Sequence, residues 1–185
     1  MIEHLYATPV YYNFAKDYQS LNYHIDKVID KVDFNDTIEK WGPTFYMSID
    51  STPNIIKKLG LNKIEKEIDI HLRNYCNELK FKMQKYEMVK SWFTKSEKGN
   101  YSHVHSHDAD ISGVYYYKTN GEDGDLFFET PNPYFDNSKF LFPSRWDHKP
   151  EEGKILLFPS WLKHGIKTNT TDNARISLSF DIRFI

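Results

Sequence analysis

The 185-residue chain carries a formal net charge of −2 at pH 7, 39% apolar residues and 16% aromatics, with 13 Tyr and 13 Phe. So even a balance gives no electrostatic footprint for nucleic acid or an anionic membrane surface, and apolar runs such as ILLF at 155–158 are far shorter than the ~20 residues that span a bilayer. The single cysteine, Cys76, rules out an internal disulfide; with no charged-then-apolar leader before Pro9, the expected compartment is the cytoplasm.

Read in chain order, HLYATPVYYNF at 4–14 is an opening strand. SLNYHIDKVIDKV at 20–32 places Leu21, Ile25, Val28, Ile29 and Val32 at helical spacing. STPNIIKKLG is a short helix, with Thr52 as N-cap, Pro53 in the first turn and Gly60 as the stop. A longer helix comes next, with Asn62 and Glu65 spaced as a capping box and Ile64, Ile68, Leu72, Tyr75 and Leu79 as its apolar stripe.

After about residue 85, short runs rich in Tyr, Phe, Val and Ile alternate with Gly, Asn, Asp and Pro turns. Strands are expected near 88–94, 101–107, 111–118, 125–129, 154–158, 164–168 and 175–184. TNGEDGD at 119–125 is a tight turn, SEKGN at 96–100 another, and FPSW at 158–161 a bend. The stretch 130–150 is a long Pro-bearing loop, either a crossover or a substrate lid. In ARISLSFDIRFI, Ile176, Leu178, Phe180, Ile182 and Phe184 fall on one strand face; Arg175, Ser177, Ser179, Asp181 and Arg183 fall on the other. The apolar face should pack on the helices and the polar face should line a cavity. Helices first and strands afterwards indicate one mainly-β domain, a sandwich or barrel with helices packed on its outer sheet. Residues 1–85 then form a helical support and 86–185 the β core.

Three features carry chemistry. YSHVHSHDAD at 101–110 has His103, His105 and His107 at every second position, so on a strand all three rings share a face. LLFPSWLKHGI places His164 just past an apolar strand, and Arg175 stands two residues before Ser177. A His-rich strand with a distant His is the ligand layout of a non-haem iron site, which generally adds a carboxylate and leaves positions open. An Arg fork with a hydroxyl suits a carboxylate ligand, because the hydrogen bonds are bidentate and charge-assisted. Clustered histidines on a surface can also be merely solvated or take up adventitious metal. His4, His24, His71 and His148 are isolated and read as ordinary residues; Tyr115 to Tyr117 read as strand packing.

With HSHDADISGVYYY, GDLFFETP, GKILLFPSWLKHGI and ARISLSF in this order, the chain resembles the 2-oxoglutarate- and iron(II)-dependent oxygenases, and within them an uncharacterised branch of marine bacteria and their phages. The resemblance implies a double-stranded β-helix, or jelly roll, and a reaction in which iron(II), 2-oxoglutarate and O2 hydroxylate a C–H bond, releasing succinate and carbon dioxide. It implies His164 as the distal iron ligand and Arg175 as the partner of the co-substrate's far carboxylate, with Ser177 and Tyr116 adding hydrogen bonds. His-x-His ahead of SGVYY implies His105 and His107 as the remaining ligands.

The chain departs from the family's His-x-Asp or His-x-Glu pair, since no His here has an acid two residues later. His105 is common to both His pairs; the other ligand from this segment is His107, His103, Asp108 or Asp110. The substrate is an unidentified protein side chain, such as prolyl, or a small metabolite. The competing reading is a non-catalytic metal-binding jelly roll, a sensor or accessory protein; a cupin-type hydrolase or isomerase would not need the Arg-x-Ser pair.

Overall fold

Alternation along the last strand sets the architecture. In a computed structural model, which describes residues 7–36, 45–48, 54–132 and 144–185, strand β11 (Arg175–Phe184) pairs antiparallel with β4 (Tyr86–Ser96) on one side and β6 (Ile111–Lys118) on the other. Strands β1 (Tyr11–Phe14), β2 (Phe34–Asp36), β3 (Tyr46–Ser48) and β9 (Lys154–Pro159) extend this to a seven-stranded sheet, in the order β1-β9-β6-β11-β4-β3-β2. A second sheet holds β5 (Ser102–His105), β10 (His164–Ile166), β7 (Leu126–Glu129) and β8 (Arg145–His148), in the order β5-β10-β7-β8. The two sheets face each other as the jelly-roll arrangement requires.

The outer face of the large sheet carries the helices, as the sequence predicts. Helix α1 (Tyr18–Asp26), the short α2 (Ile55–Lys58) and α3 (Asn62–Glu78) place Ile25, Ile56, Ile64, Ile68 and Leu72 in one core with Tyr115, Tyr117, Ile155, Leu157, Leu178, Phe180 and Ile182. Each Ile or Leu buried there contributes about 1.5–3 kcal/mol. Between the sheets a second cluster joins Val114, Tyr116, Leu156 and Phe158 of the large sheet to Leu126 and Phe128 of the small one. Alternate residues of β6 and β9 thus serve the two cores, which is why these strands read as continuous apolar runs.

Several local expectations shift. The helix expected over 20–32 stops at Asp26 and continues as a 3-10 turn, Ile29–Lys31. Thr52 and Pro53 lie outside the described residues, as does the start of the opening strand; α2 is capped by Asn54, whose side chain accepts from Lys57 N at 3.1 Å. Asn62 is not a cap: α3 begins there, and Leu61 precedes it with no side-chain bond to the helix end. Leu79, the last residue of the expected stripe, is exposed because the helix ends just before it. The expected strand over 101–107 ends at His105, and β8 forms inside the stretch read as a loop, of which 133–143 lie outside the described residues. Among the described residues, no helix is long and apolar enough to cross a membrane.

Gly113 shows how tightly the large sheet meets the helical core. It pairs with Phe180 across the ladder, and a Cβ there would lie 2.4 Å from Phe180 Cζ and 2.8 Å from Leu157 Cδ2. Gly113→Ala is expected to destabilise the protein by about 1–3 kcal/mol, the usual cost of overpacking. A urea melt of the metal-free protein measures it; an unchanged midpoint would mean that the Phe180 ring moves aside freely.

Candidate metal centre and co-substrate pocket

Inner-face residues are set by register. On β11 they are Arg175, Ser177, Ser179 and Asp181; opposite them stand Ser96, Thr94 and Trp92 on β4, and Tyr116, Val114 and Ser112 on β6. The polar face read from the C-terminal sequence therefore lines the interior from Arg175 to Asp181, whereas Arg183, near the strand's end, is exposed.

His164 and His105 are direct partners across the β10–β5 ladder, next to a register shift in which Ile166 pairs with Ser102. His107 arrives differently from the expected alternation. It lies beyond the end of β5, on a turn held by His107 N to Ser160 O (2.9 Å), Ser160 N to Asp110 O (3.1 Å) and Asp110 N to Ile182 O (3.0 Å). The FPSW bend thus positions two of the three rings: it leads into the strand that carries His164, and its Ser160 carbonyl holds the His107 backbone. Among the described residues, His105, His107 and His164 form a group whose ligand-type nitrogens all lie within 4.8 Å of one another.

The tautomers agree across the group. His105 Nδ1 is 2.8 Å from the His103 carbonyl, His164 Nδ1 is 2.8 Å from the Leu162 carbonyl, and His107 Nδ1 is 2.7 Å from Asp181 Oδ1. Each partner can only accept, so each Nδ1 carries a proton, and in the neutral ring Nε2 keeps the lone pair. Burial pushes the His164 ring down to about 3, with His105 as the next cause, and burial also lowers His105. Both rings therefore stay neutral at pH 7, the form that binds a metal.

The other candidates stand apart. His103 is exposed, packs its ring on Tyr101 (5.1 Å between centroids) and contributes its carbonyl rather than its ring. The Asp108 side chain is fully exposed and lies 3.5 Å from Arg183. Asp110 Oδ2 accepts from Phe184 N at 2.8 Å.

The second half of the site lies at the opposite end of β11. Arg175 is 1% exposed; its Nη1 donates to the Gly124 carbonyl, but its Nε has no partner. Tyr116 Oη and Ser96 Oγ are likewise buried without a partner. Ser96 is the cross-strand neighbour of Arg175, and Tyr116 that of Ser177. Ser177 Oγ is 2.8 Å from Thr94 Oγ1. Burial lowers the guanidinium below its ordinary value, offset in part by Tyr116, Asp123 and Asp125; it is still a cation. Burial pushes the Tyr116 phenol up, so it remains a donor. A buried cation beside unpaired donors is costly until an anion with several acceptors fills the space. The chemistry of this donor set fits a carboxylate.

Residues that sequence reasoning missed take part here. Gly124 sits at φ +101 in the TNGEDGD turn, where a Cβ would lie 2.4 Å from Lys167 O, and its carbonyl engages Arg175. Ser96 closes the donor group, and Asp181 backs His107. Asp181 belongs to the polar face already legible in the sequence; Ser96 and Gly124 carry no local signal.

A sequence profile described as "Putative 2OG-Fe(II) oxygenase" matches residues 90–181, about half of the chain. No curated protein matches the sequence. Among solved structures, the chain is similar to HygX from Streptomyces hygroscopicus with nickel and 2-oxoglutarate bound, at 13% identity and a TM-score of 0.67 over 95% of this chain and 83% of that one. It is also similar to a Pseudomonas putida prolyl-4-hydroxylase, at 16% identity and a TM-score of 0.61 over 96% and 94% of the two chains. A viral collagen prolyl hydroxylase from Paramecium Bursaria Chlorella virus-1 aligns at 15% identity and a TM-score of 0.55, over 95% and 97%. At these identities the likeness is one of fold.

Proposed function

Because the chain belongs to the 2OG-Fe(II) oxygenase superfamily, we propose that it is an iron(II)- and 2-oxoglutarate-dependent dioxygenase that hydroxylates a protein side chain or a small metabolite. His105, His107 and His164 hold the iron through Nε2. Arg175, with Tyr116 and Ser177, binds the far carboxylate of 2-oxoglutarate, and Ser96 offers a further donor. When bound, iron and 2-oxoglutarate supply the oxidation of a C–H bond by O2, with succinate and carbon dioxide as co-products.

The observation that carries this reading is the set of unpaired buried donors, Arg175 Nε, Tyr116 Oη and Ser96 Oγ, on the same inner face that leads to the three-histidine group. A metal centre alone would not need them. The chain's own residues orient the co-substrate by charge and hydrogen bonds, keep the ring nitrogens in the metal-binding tautomer and exclude water behind Phe158 and Phe128, which pack on His164 with ring centroids 4.7 and 6.2 Å away. The substrate is a protein side chain, such as prolyl, or a small metabolite; the structures of similar fold include both a prolyl-4-hydroxylase and a protein with hygromycin B bound.

The test is oxygen uptake and succinate release with iron(II) and 2-oxoglutarate, in parallel with binding of both. Turnover of 2-oxoglutarate to succinate is the expected result. Metal uptake without any 2-oxoglutarate binding would instead identify a metal-binding jelly roll without this chemistry, consistent with an all-imidazole donor set among the described residues.

Tyr116→Phe gives a test with opposite signs. Removing a buried hydroxyl that has no partner is expected to leave the ligand-free protein as stable or more stable. The same change should weaken 2-oxoglutarate binding by about 0.5–1.5 kcal/mol, roughly 2- to 10-fold. Melting curves and calorimetric titration of one variant check both signs; a loss of stability in the free protein would mean that the hydroxyl already has a partner.

A further inference from the structure

We infer that Asp181, through its hydrogen bond to His107, supplies the negative charge that the three-imidazole donor set lacks. The inference rests on the reading of His107 as a metal ligand. Three neutral rings give a dication no charge compensation. Asp181 Oδ1 lies 2.7 Å from His107 Nδ1, one ring away from the donor nitrogen. A carboxylate in that position raises the basicity of the ligand and fixes its orientation.

The carboxylate is built in rather than incidental. Asp181 is 6% exposed, and its carboxylate accepts from His107 Nδ1 and Ser112 Oγ. Its place on β11 coincides with a break in the ladder: Asp181 pairs with Lys90 but Ile182 pairs with Met88, so Val89 is an extra residue on β4. Bulges of this kind re-aim side chains beside functional sites. Ser112 Oγ is 2.7 Å from Asp181 Oδ1 and 2.9 Å from Ser160 Oγ. The Ser112 hydroxyl can donate to either oxygen, and the Ser160 carbonyl holds the His107 amide. Ser112 and Ser160 therefore touch both ends of the Asp181–His107 contact. On its other side the His107 ring meets Trp92, with centroids 5.5 Å apart.

Asp181 is thus a positioning residue with a charge role, and the two parts separate by substitution. Asp181→Asn keeps an oxygen that accepts from His107 and Ser112 but removes the charge. Titration of the full chain with manganese(II) is expected to show affinity about 10–100-fold lower for Asp181→Asn than for the unaltered protein. His107→Ala should lose more, and Asp181→Asn added to His107→Ala should lose nothing further. A merely structural role would instead lower affinity by the same factor in both backgrounds, and that result overturns the inference, as does wild-type affinity in Asp181→Asn. Wild-type affinity in His107→Ala would sink the ligand reading itself, and this inference with it. The unaltered protein loaded with zinc(II) gives a check that needs no variant. The His107 Nδ1 proton should appear as a strongly deshielded imidazole resonance by NMR; a proton on Nε2 instead would overturn the proposal.

Discussion

Replacement of Arg175 by methionine is expected to raise the dissociation constant for 2-oxoglutarate by about 30- to several-thousand-fold. The guanidinium is buried, and it is the cation at the inner end of the donor group. Truncating one partner of a buried, hydrogen-bonded charge pair costs roughly 2–5 kcal/mol, which is that range of affinity. Methionine fills similar volume and removes a buried charge that the ligand-free protein leaves partly unsatisfied, so melting of the free protein should change little or rise. Arg175→Lys keeps the charge but not the fork, and should fall between the two. Manganese affinity should stay within a few-fold in both variants, because Arg175 opens β11, well along the strand from Asp181, which contacts His107. Calorimetric titration with 2-oxoglutarate in the presence of manganese(II) makes the measurement. Unchanged affinity in the methionine variant would remove the chief support for this co-substrate.

The second large effect is on the metal. His164→Ala should lower affinity for iron(II) or manganese(II) by more than about 100-fold, since even the hydrogen-bond partners of ligands cost about 10–100-fold. His105→Ala should match it, whereas His103→Ala should change affinity by less than about threefold, because the His103 ring meets Tyr101 edge-on outside the cluster. His164 is 4% exposed and held in a low-basicity environment by burial, so its removal leaves a small cavity against Phe158 and Phe128. The metal-free variant is therefore expected to melt slightly lower, and affinity must be compared at a temperature where both proteins are folded. Equal losses from His103, His105 and His107 would describe a loose chelating segment rather than a built centre.

What the sequence determined by itself is what short-range periodicity encodes. Alternation along 175–184 assigned every residue of β11 to its face, because a strand's period of two is a local property of the backbone. The same holds for the stripe Ile64, Ile68, Leu72 and Tyr75 on α3, where the helical period does the sorting. Residue chemistry carried further: imidazoles grouped in 101–110 with one more at 164, and Arg175 two positions before Ser177, pointed to what the fold gathers as a cluster of three histidines and a buried guanidinium on the inner face. The tertiary structure decided whatever depends on pairing between distant segments. His107 reaches the cluster from a turn tied to Ser160, not by strand alternation. Gly124 meets Arg175 across 51 residues, Asp181 meets His107 across 74, and β8 pairs with β7 from Leu126–His148 to Glu129–Arg145. None of these pairings is marked in the sequence around either partner, because a long-range hydrogen bond or ladder partner is chosen by how the sheets close, not by local propensity.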